Sequence, residues 1–160
     1  LYGGTGNFSQ STTQPEEMPE RLESGTLNTV GLAGLKAGIE FIESAGLEKV
    51  RAHEQKLLGT LIEGLQEIAA VTLYGPLGSA RHGGALSLNI KNVDPSLLGF
   101  RLDREYGICC RTGLHCAPEA HGSINTLPQG TVRLSPGFFN TVADIEKTLA
   151  AIGEIIATEH

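Results

Sequence analysis

Apolar residues recur every three or four positions in several segments of the chain, which is the spacing of a helix with one buried face. This period predicts helices over Thr29–Ser44, Leu47–Ile68, Pro95–Tyr106 and Thr141–Ile156. The clearest stripe is in the last helix, where apolar residues are separated alternately by three and four positions. Each of these helices is therefore expected to bury one face.

Residues at the helix ends support these boundaries. Asp94 followed by Pro95 is a typical helix start, with the aspartate as N-cap and the proline in the first turn. Thr141, with Asp144 three residues later, resembles a capping box. Gly107 follows the third helix and is expected to end it.

Alternation of apolar and polar residues predicts the strands. Residues 85–91 alternate throughout, which is typical of a strand with one buried face, and Thr131–Ser135 alternates in the same way. Shorter strands are expected at Val71–Tyr74 and Ile108–Cys110. The order of the predicted elements indicates an α+β fold, with a small, mostly antiparallel sheet and helices packed on it. That order is helix, helix, strand, strand, helix, strand, strand, helix.

The composition narrows the class of protein. With 160 residues, of which 40% are hydrophobic and 19% charged, the chain can form one sizeable globular core. A net charge of −6 argues against nucleic acid or an anionic membrane as the main partner, because both bind basic surfaces. No apolar run reaches membrane-spanning length. Three cysteines, two of them adjacent, fit a reducing cytoplasm better than a disulfide framework.

The N-terminal region suggests that the chain is part of a longer protein. It begins with Leu1 instead of an initiator methionine, and its single methionine is Met18. Residues 3–28 are polar and rich in Gly, Ser, Thr and Pro, which predicts a long loop. A loop of this length in a compact domain is either functional or removed from its context.

The segment RTGLHCAPEAH, residues 111–121, places Cys116 between two histidines. From the residues alone, three interpretations stay open. A single cysteine is often a small buried residue, whereas a loop thiol close to positive charge from Arg111 and His115 is typical of a nucleophile. A zinc site would draw its ligands from Cys109, Cys110, His115, Cys116 and His121. This spacing contains no C-x-x-C pair and adjacent cysteines converge poorly on one ion, so zinc is the least favoured interpretation.

Two further parts of the chain could bind anions. Arg133 lies on the polar side of its strand, where a guanidinium either grips a substrate carboxylate through two bonds or is solvated. The segments GGTG, with Thr5, and ESGTLN, with Thr26, could offer backbone N–H groups and a hydroxyl to a phosphate, since helix N-termini attract anions. A plain turn, or an N-cap formed by Thr26 or Asn28, is the alternative.

Taken in order, these segments resemble a known family. They are similar to the C-terminal portion of cysteine desulfurases. The segments are GGTG, PERLESGTLN leading into GLAGLKAGIEF, RTGLHCAPEAH and GTVRLSPGFFNT. Those enzymes depend on pyridoxal phosphate (PLP) and belong to the class-V aminotransferases. The resemblance covers nearly the whole chain, and several ordered motifs are more specific than any one of them.

The resemblance implies a role for each candidate residue. Such enzymes remove sulfur from L-cysteine, releasing L-alanine and leaving a persulfide on the loop cysteine, which Cys116 matches. The arginine of the V-R-x-S strand binds the substrate carboxylate, and Arg133 matches it. The threonine of the G-T-x-N segment, matched by Thr26, contacts the PLP phosphate, commonly that of the neighbouring subunit. Thr5 is expected near the active site of a homodimer. A sulfur-acceptor protein or an iron–sulfur assembly scaffold is the expected partner.

One feature of the family is missing from the chain. The lysine that bonds to PLP follows a histidine upstream of GGTG, and no lysine of this chain follows a histidine. We therefore expect residues 1–44 to be a C-terminal strip of the PLP-binding large domain, and residues 45–160 to be the small domain with the nucleophile loop. This fragment alone is expected to be inactive.

Other functions stay open beside the desulfurase. Within the same class, the resemblance allows a selenocysteine lyase or another C–S lyase of the class-V aminotransferase type. A different class is a PLP-free thiol module that carries sulfur or binds metal.

Overall fold

The computed structural model describes residues 10–78 and 83–159 of the chain. The chain divides into two compact units, Leu1–Gly46 and Leu47–His160. A 3-10 turn at Glu20–Leu22 precedes the regular elements. In chain order these are α1 (Thr29–Ala45), α2 (Leu47–Gln66), β1 (Val71–Tyr74), β2 (Leu86–Ile90), α3 (Pro95–Tyr106), β3 (Arg111–Gly113), α4 (Pro118–Ser123), β4 (Thr131–Leu134) and α5 (Val142–Thr158).

The first unit contains α1, whose start is set by Asn28. The Asn28 side chain accepts a hydrogen bond from the Gly31 amide at 2.9 Å, as an N-cap residue does. No residue of α1 is buried, although the helix is rich in large apolar side chains. The following are 40–83% exposed: Val30, Leu32, Leu35, Ile39, Phe41 and Ile42. The buried face that the sequence period predicts for this helix is therefore absent from the described part of the chain.

The second unit is built on an antiparallel sheet with the strand order β1-β2-β4-β3. The register places Leu88 of β2 between Leu73 of β1 and Val132 of β4. Apolar side chains therefore line one face of the sheet, and polar side chains alternate on the other. A small antiparallel sheet combined with helices confirms the α+β fold class predicted from the order of elements.

Helices α2, α3 and α5 share one core with the apolar face of the sheet. The most buried members of this core are Leu57, Leu61 and Leu65 of α2, Leu86 and Leu88 of β2, Leu98 and Leu102 of α3, Val132 of β4, and Ile152 and Ile155 of α5. The residues named in α2 are spaced by four positions, and those named in α5 by three. The buried stripes predicted for both helices are confirmed along most of their length, whereas Leu47 and Val142 at their N-terminal ends are exposed.

The predicted helix ends are also present. The Asp94 carboxylate accepts a hydrogen bond from the Ser96 amide at 2.8 Å. Gly107 ends α3 in the left-handed conformation, with φ 65°. At the start of α5, the Thr141 amide donates to the Asp144 carboxylate at 2.8 Å and completes a capping box.

The segment after α3 differs from its prediction. Residues Ile108–Cys110 do not form a strand, and the strand is instead β3 at Arg111–Gly113. The Ile108 amide still donates to the Leu102 carbonyl at the end of α3, at 2.8 Å. Because these residues complete the helix end, the chain pairs with the sheet only from Arg111.

A short helix lies in the segment predicted as a loop. This is α4, with Pro118 in its first turn and Ala117 as an N-cap that makes no side-chain hydrogen bond. Six residues are too few to show a helical period, so only the proline could have indicated it. Within the described ranges, no helix combines the length and the apolar character that crossing a bilayer requires.

Two helical glycines should respond oppositely to alanine. A Cβ on Gly99 of α3 would overlap the Thr112 side chain of β3, so Gly99→Ala should lower the free energy of unfolding by about 1–3 kcal/mol. Gly153 of α5 has nothing within 4 Å of that position, so Gly153→Ala should raise it by roughly 0.5–1 kcal/mol through helix propensity. Urea denaturation measures both changes. A stabilising effect at Gly99 would contradict the close packing of α3 on β3.

Candidate active site

A pair of arginines marks the edge of the sheet where β3 and β4 lie side by side. Arg111 and Arg133 are directly opposite each other in the register, and Ser87 of β2 is opposite Arg133 on its other side. Neither guanidinium forms an ion pair with a described carboxylate. The Nε of Arg133 is buried without a hydrogen-bond acceptor among the described residues. Because like charges across two strands repel, this arginine pair favours the binding of an anion.

Cys116 follows β3 on a loop and lies against Arg111. Its Sγ is 3.7 Å from Nη2 of Arg111, and the residue is exposed. Arg111 is therefore the positively charged group that lies beside this sulfur. The exposure contradicts the interpretation of Cys116 as a buried packing residue.

The backbone of this loop has an uncommon conformation. His115 and Cys116 are consecutive and have positive φ, 51° and 60°, which costs on the order of 1 kcal/mol per residue. A hydrogen-bonding contact offsets this cost, because Nε2 of His115 is 3.2 Å from Oγ1 of Thr131 on β4. His115 is therefore tied to the strand that carries Arg133, while Cys116 is left exposed.

A second histidine packs against His115. His121 is 4% exposed, and its Nδ1 is 2.6 Å from Oγ1 of Thr126. The ring centroids of His115 and His121 are 5.5 Å apart. We call these two histidines with Thr126 and Thr131 the histidine anchor, because together they attach both ends of the Cys116 loop to buried hydroxyl groups.

Two glycines allow the strands to meet at the base of the loop. Gly113 ends β3 with φ 96°, and Gly130 precedes β4 with φ 79°. A Cβ on Gly130 would overlap the backbone of Gly113, so a larger residue would separate the strands. This close approach sets the point at which the chain leaves the sheet towards Cys116.

His115 is held in its neutral form. Burial is the main cause that lowers the pKa of His115 below 6.5, and charge on Arg133, His121 and Arg111 lowers it further. The Nδ1 of His115 is buried without a hydrogen-bond partner among the described residues, so a proton added there would lack an acceptor. The expectation that His115 supplies positive charge to Cys116 is therefore wrong, and Arg111 is the group that supplies it.

The other cysteines precede β3 and differ in exposure. Cys110 is half-buried, and burial raises the pKa of its thiol, with smaller effects from Cys109 and Asp103. Cys109 is exposed. In the described part of the chain, no three His, Cys, Asp or Glu side chains are grouped as metal ligands would be. The geometry of the loop therefore adds no support to the zinc interpretation.

The residues predicted to contact a phosphate belong to the first unit. Thr26 is exposed three residues before α1, and Asn28, not Thr26, caps that helix. The Thr26 hydroxyl is thus not used as the N-cap. Thr5 lies outside the described residues, so its role stays a prediction, as do the roles of Thr26, Arg133 and Cys116.

Part of the site was missed by reasoning from the sequence. Alternation in β4 places Thr131 on the same face as Arg133, and this signal could have identified it. Thr126 reaches His121 through a loop whose path no local pattern specifies. The opposition of Arg111 and Arg133 depends on the register of β3 with β4, which becomes visible only in the folded chain.

Comparison with known proteins identifies relatives of this chain. The family model for class-V aminotransferases matches residues 1–148. A probable cysteine desulfurase of Pyrococcus abyssi is 36% identical over 140 residues, which is 88% of this chain and 34% of that protein. A probable cysteine desulfurase of Methanothermobacter thermautotrophicus is 34% identical over 158 residues, which is 97% of this chain and 39% of that protein.

Solved structures show the same likeness. The apo structure of a cysteine desulfurase from Thermococcus onnurineus NA1 aligns with a TM-score of 0.82 at 35% identity, over 92% of this chain and 35% of that one. The cysteine desulfurase CsdA of Escherichia coli aligns with a TM-score of 0.77 at 24% identity, which shows the fold alone. The chain therefore spans 34% and 39% of the length of the two curated relatives described above.

Acidification should weaken the histidine anchor. Because the pKa of His115 in the folded protein lies below 6.5, the unfolded chain takes up this proton first as the pH falls, and the free energy of unfolding decreases through that window. In His115→Asn the side chain cannot titrate, and asparagine tolerates the positive φ. Its free energy of unfolding should therefore fall less than that of the wild type between about pH 7.5 and about pH 5.5.

Urea denaturation of both proteins at the two pH values measures this difference. Groups that titrate equally in the two proteins cancel in the comparison. An equal fall in the wild type and in His115→Asn would show that His115 is not held neutral in the folded protein.

Proposed function

This chain belongs to the class-V aminotransferase family, and we propose that it is the C-terminal part of a cysteine desulfurase, which takes sulfur from L-cysteine and releases L-alanine. The observation that carries this proposal is the exposed thiol of Cys116, 3.7 Å from the Arg111 guanidinium. Relatives named cysteine desulfurase, 34–36% identical to this chain, support it. Their names favour L-cysteine over selenocysteine as substrate, and favour an enzyme over a PLP-free thiol module.

The family implies PLP, which when bound supplies an electron sink for carbon–sulfur chemistry. Of the described residues, Thr26 fits a contact to the PLP phosphate, because its hydroxyl is not used as the N-cap and helix N-termini attract anions. The lysines are at positions 36, 49, 56, 91 and 147, and none follows a histidine. We infer that the lysine that bonds to PLP belongs to the rest of the whole protein, and that the 160 residues alone are inactive.

Arg133 is the proposed clamp for the substrate carboxylate. Its guanidinium has no ion-pair partner among the described carboxylates, and its Nε lacks an acceptor there. A carboxylate can accept two parallel hydrogen bonds from a guanidinium, which fixes orientation as well as position. Because Thr131 of the same strand holds the Cys116 loop, binding at Arg133 would place the substrate beside the loop that carries the thiol.

Cys116 is the proposed nucleophile. Its thiolate, which lies beside the Arg111 guanidinium, attacks the sulfur of the bound L-cysteine and forms a sulfur–sulfur bond. The carbon–sulfur bond of the substrate breaks, and the carbon keeps the electron pair and takes up a proton to become the methyl group of L-alanine. The products are L-alanine and a persulfide on Cys116, so the step needs no oxidant. An exposed loop allows the persulfide to be passed on.

The division of the chain into domains is also a proposal. We propose that residues 1–44 are a strip of the large domain and that residues 45–160 are the small domain. A helix face lined with large apolar side chains is normally buried in a core, and no residue of α1 is buried. This chain leaves about two thirds of the Pyrococcus protein unmatched. A segment of that length is large enough to supply such a core.

The partners follow from the proposed reaction. We propose that the persulfide passes to a sulfur-acceptor protein or an iron–sulfur assembly scaffold, which the exposure of Cys116 supports. The resemblance of the G-T-x-N segment supports a homodimer. Free cysteines at all three positions support a reducing compartment, for which we propose the cytoplasm.

Persulfide trapping tests the role of Cys116. In the whole protein with PLP and L-cysteine, peptide mass analysis should locate the persulfide on Cys116. In Cys116→Ala, protein persulfide and sustained sulfide production should fall to background, because the sulfur acceptor is lost. The free energy of unfolding should change by no more than about 0.5 kcal/mol, because the residue is exposed. A persulfide on Cys109 or Cys110, with Cys116 unmodified, would contradict the assignment.

The conservative variant Arg133→Lys tests the carboxylate clamp. Lysine keeps the positive charge but loses the two-bond geometry, so kcat/KM for L-cysteine in the whole protein should fall roughly 10- to 150-fold, which corresponds to about 1.5–3 kcal/mol. Arg104→Lys is the matched control, because Arg104 is exposed on α3. An unchanged kcat/KM in Arg133→Lys would indicate that Arg133 is a solvated surface residue and does not bind the substrate carboxylate.

A further inference from the structure

Cys109 lines the same cleft as the arginine pair. A cleft of about 220 Å³ is lined by Cys109, Cys110, Arg111, Arg133 and Ser135. We call it the arginine cleft. It is lined by both arginines and by Cys109, an exposed residue with a free thiol that the proposed desulfurase reaction does not use.

Cys109 also borders a larger cleft. This second cleft has a volume of about 420 Å³ and shares Cys109 and Ser135 with the arginine cleft. Lys147 and Asp144 lie along its wall. Cys109 therefore lines both clefts.

The charges of the arginine cleft select the kind of molecule that reaches this thiol. Two guanidinium groups, neither paired with a described carboxylate, attract anions and favour carboxylates in particular. The thiolate is the form of a cysteine that reacts with disulfides. Cys110 lines the cleft too, but burial raises the pKa of its thiol and keeps it protonated.

We propose that Cys109 is a site of thiol–disulfide exchange with small disulfides that carry carboxylates, of which L-cystine is the simplest. The Cys109 thiolate attacks one sulfur of L-cystine, and a disulfide forms between Cys109 and one half-cystine. The original sulfur–sulfur bond breaks, and the other half leaves as a thiolate that takes up the proton lost by Cys109. The disulfide itself is the oxidant, so no further reagent is needed.

The modification has a consequence that rests on the proposed function. A half-cystine on Cys109 occupies the arginine cleft, where the substrate carboxylate is proposed to bind Arg133. Oxidation of L-cysteine to L-cystine would then block the site for L-cysteine, and reduction of the mixed disulfide would open it again. The supply of reduced substrate would in this way set the fraction of available sites.

Two matched disulfides test the exchange. The whole protein with PLP is treated with L-cystine or with cystamine, which has the same disulfide and amines but no carboxylates. Peptide mass analysis after acid quenching gives the rate at Cys109, and each rate is divided by the rate with free N-acetylcysteine. L-cystine should react at Cys109 roughly tenfold faster than cystamine. Equal rates, or a label confined to Cys110 and Cys116, would overturn the proposal.

The arginine pair provides two further measurements. In Arg133→Gln, the preference for L-cystine should fall several-fold, because one of the two guanidinium charges is removed. Salt of about 1 M should reduce the preference in the unmutated protein as well, since it screens charges over about 3 Å. A preference that survives high salt unchanged would overturn the electrostatic recruitment even if the variant fails to fold.

Protection by a non-reactive carboxylate separates this site from the proposed function. Excess L-alanine should slow the labelling of Cys109 by L-cystine, whereas L-alaninol, which lacks the carboxylate, should not. Labelling that L-alanine leaves unchanged would overturn the shared cleft. Because the readout is a mass label and not turnover, absence of desulfurase activity leaves the exchange proposal standing.

Discussion

The repulsion between Arg111 and Arg133 is the interaction on which the rest of the site depends. The register of β3 with β4 places Arg111 and Arg133 opposite each other, and no described carboxylate pairs with either. Such an arrangement opposes folding unless anions bind to it. A thiolate at Cys116 and a carboxylate at Arg133 are the anions that the proposed reaction requires. In the proposed reaction, the same pair of arginines would therefore serve both the thiol and the substrate carboxylate.

The loop geometry depends in turn on how closely β3 and β4 approach. Gly113 and Gly130 permit a contact that any side chain at position 130 would prevent. Directly after this contact the chain turns through two residues with positive φ. The contact between His115 and Thr131 offsets part of the strain. The loop can therefore leave the sheet sharply while its thiol stays beside Arg111.

Most of the second unit was predictable from the sequence because its signals are local. The stripe of α5, the alternation of β2 and the caps at Asp94 and Thr141 depend on neighbouring residues alone. The edge strand β3 was misplaced because the end of α3 extends to Ile108 through a bond that composition does not reveal. Of the candidate site, the motif supplied Cys116 and Arg133. Their relation to the histidine anchor depends on contacts between distant segments, which no local pattern specifies.

The histidine anchor also controls where positive charge lies. A charged imidazole at His115 would add a third cation beside Arg111 and Arg133, and burial together with the charge of these arginines keeps it neutral. The charge is therefore concentrated on the guanidinium groups, which can bind anions, and not on a ring that faces a buried hydroxyl. An apolar side chain in place of His115 would also be neutral, but it would give no directional bond to Thr131. A neutral histidine is uncharged and also bonds to Thr131. Because it can take up a proton, it makes the loop sensitive to acid.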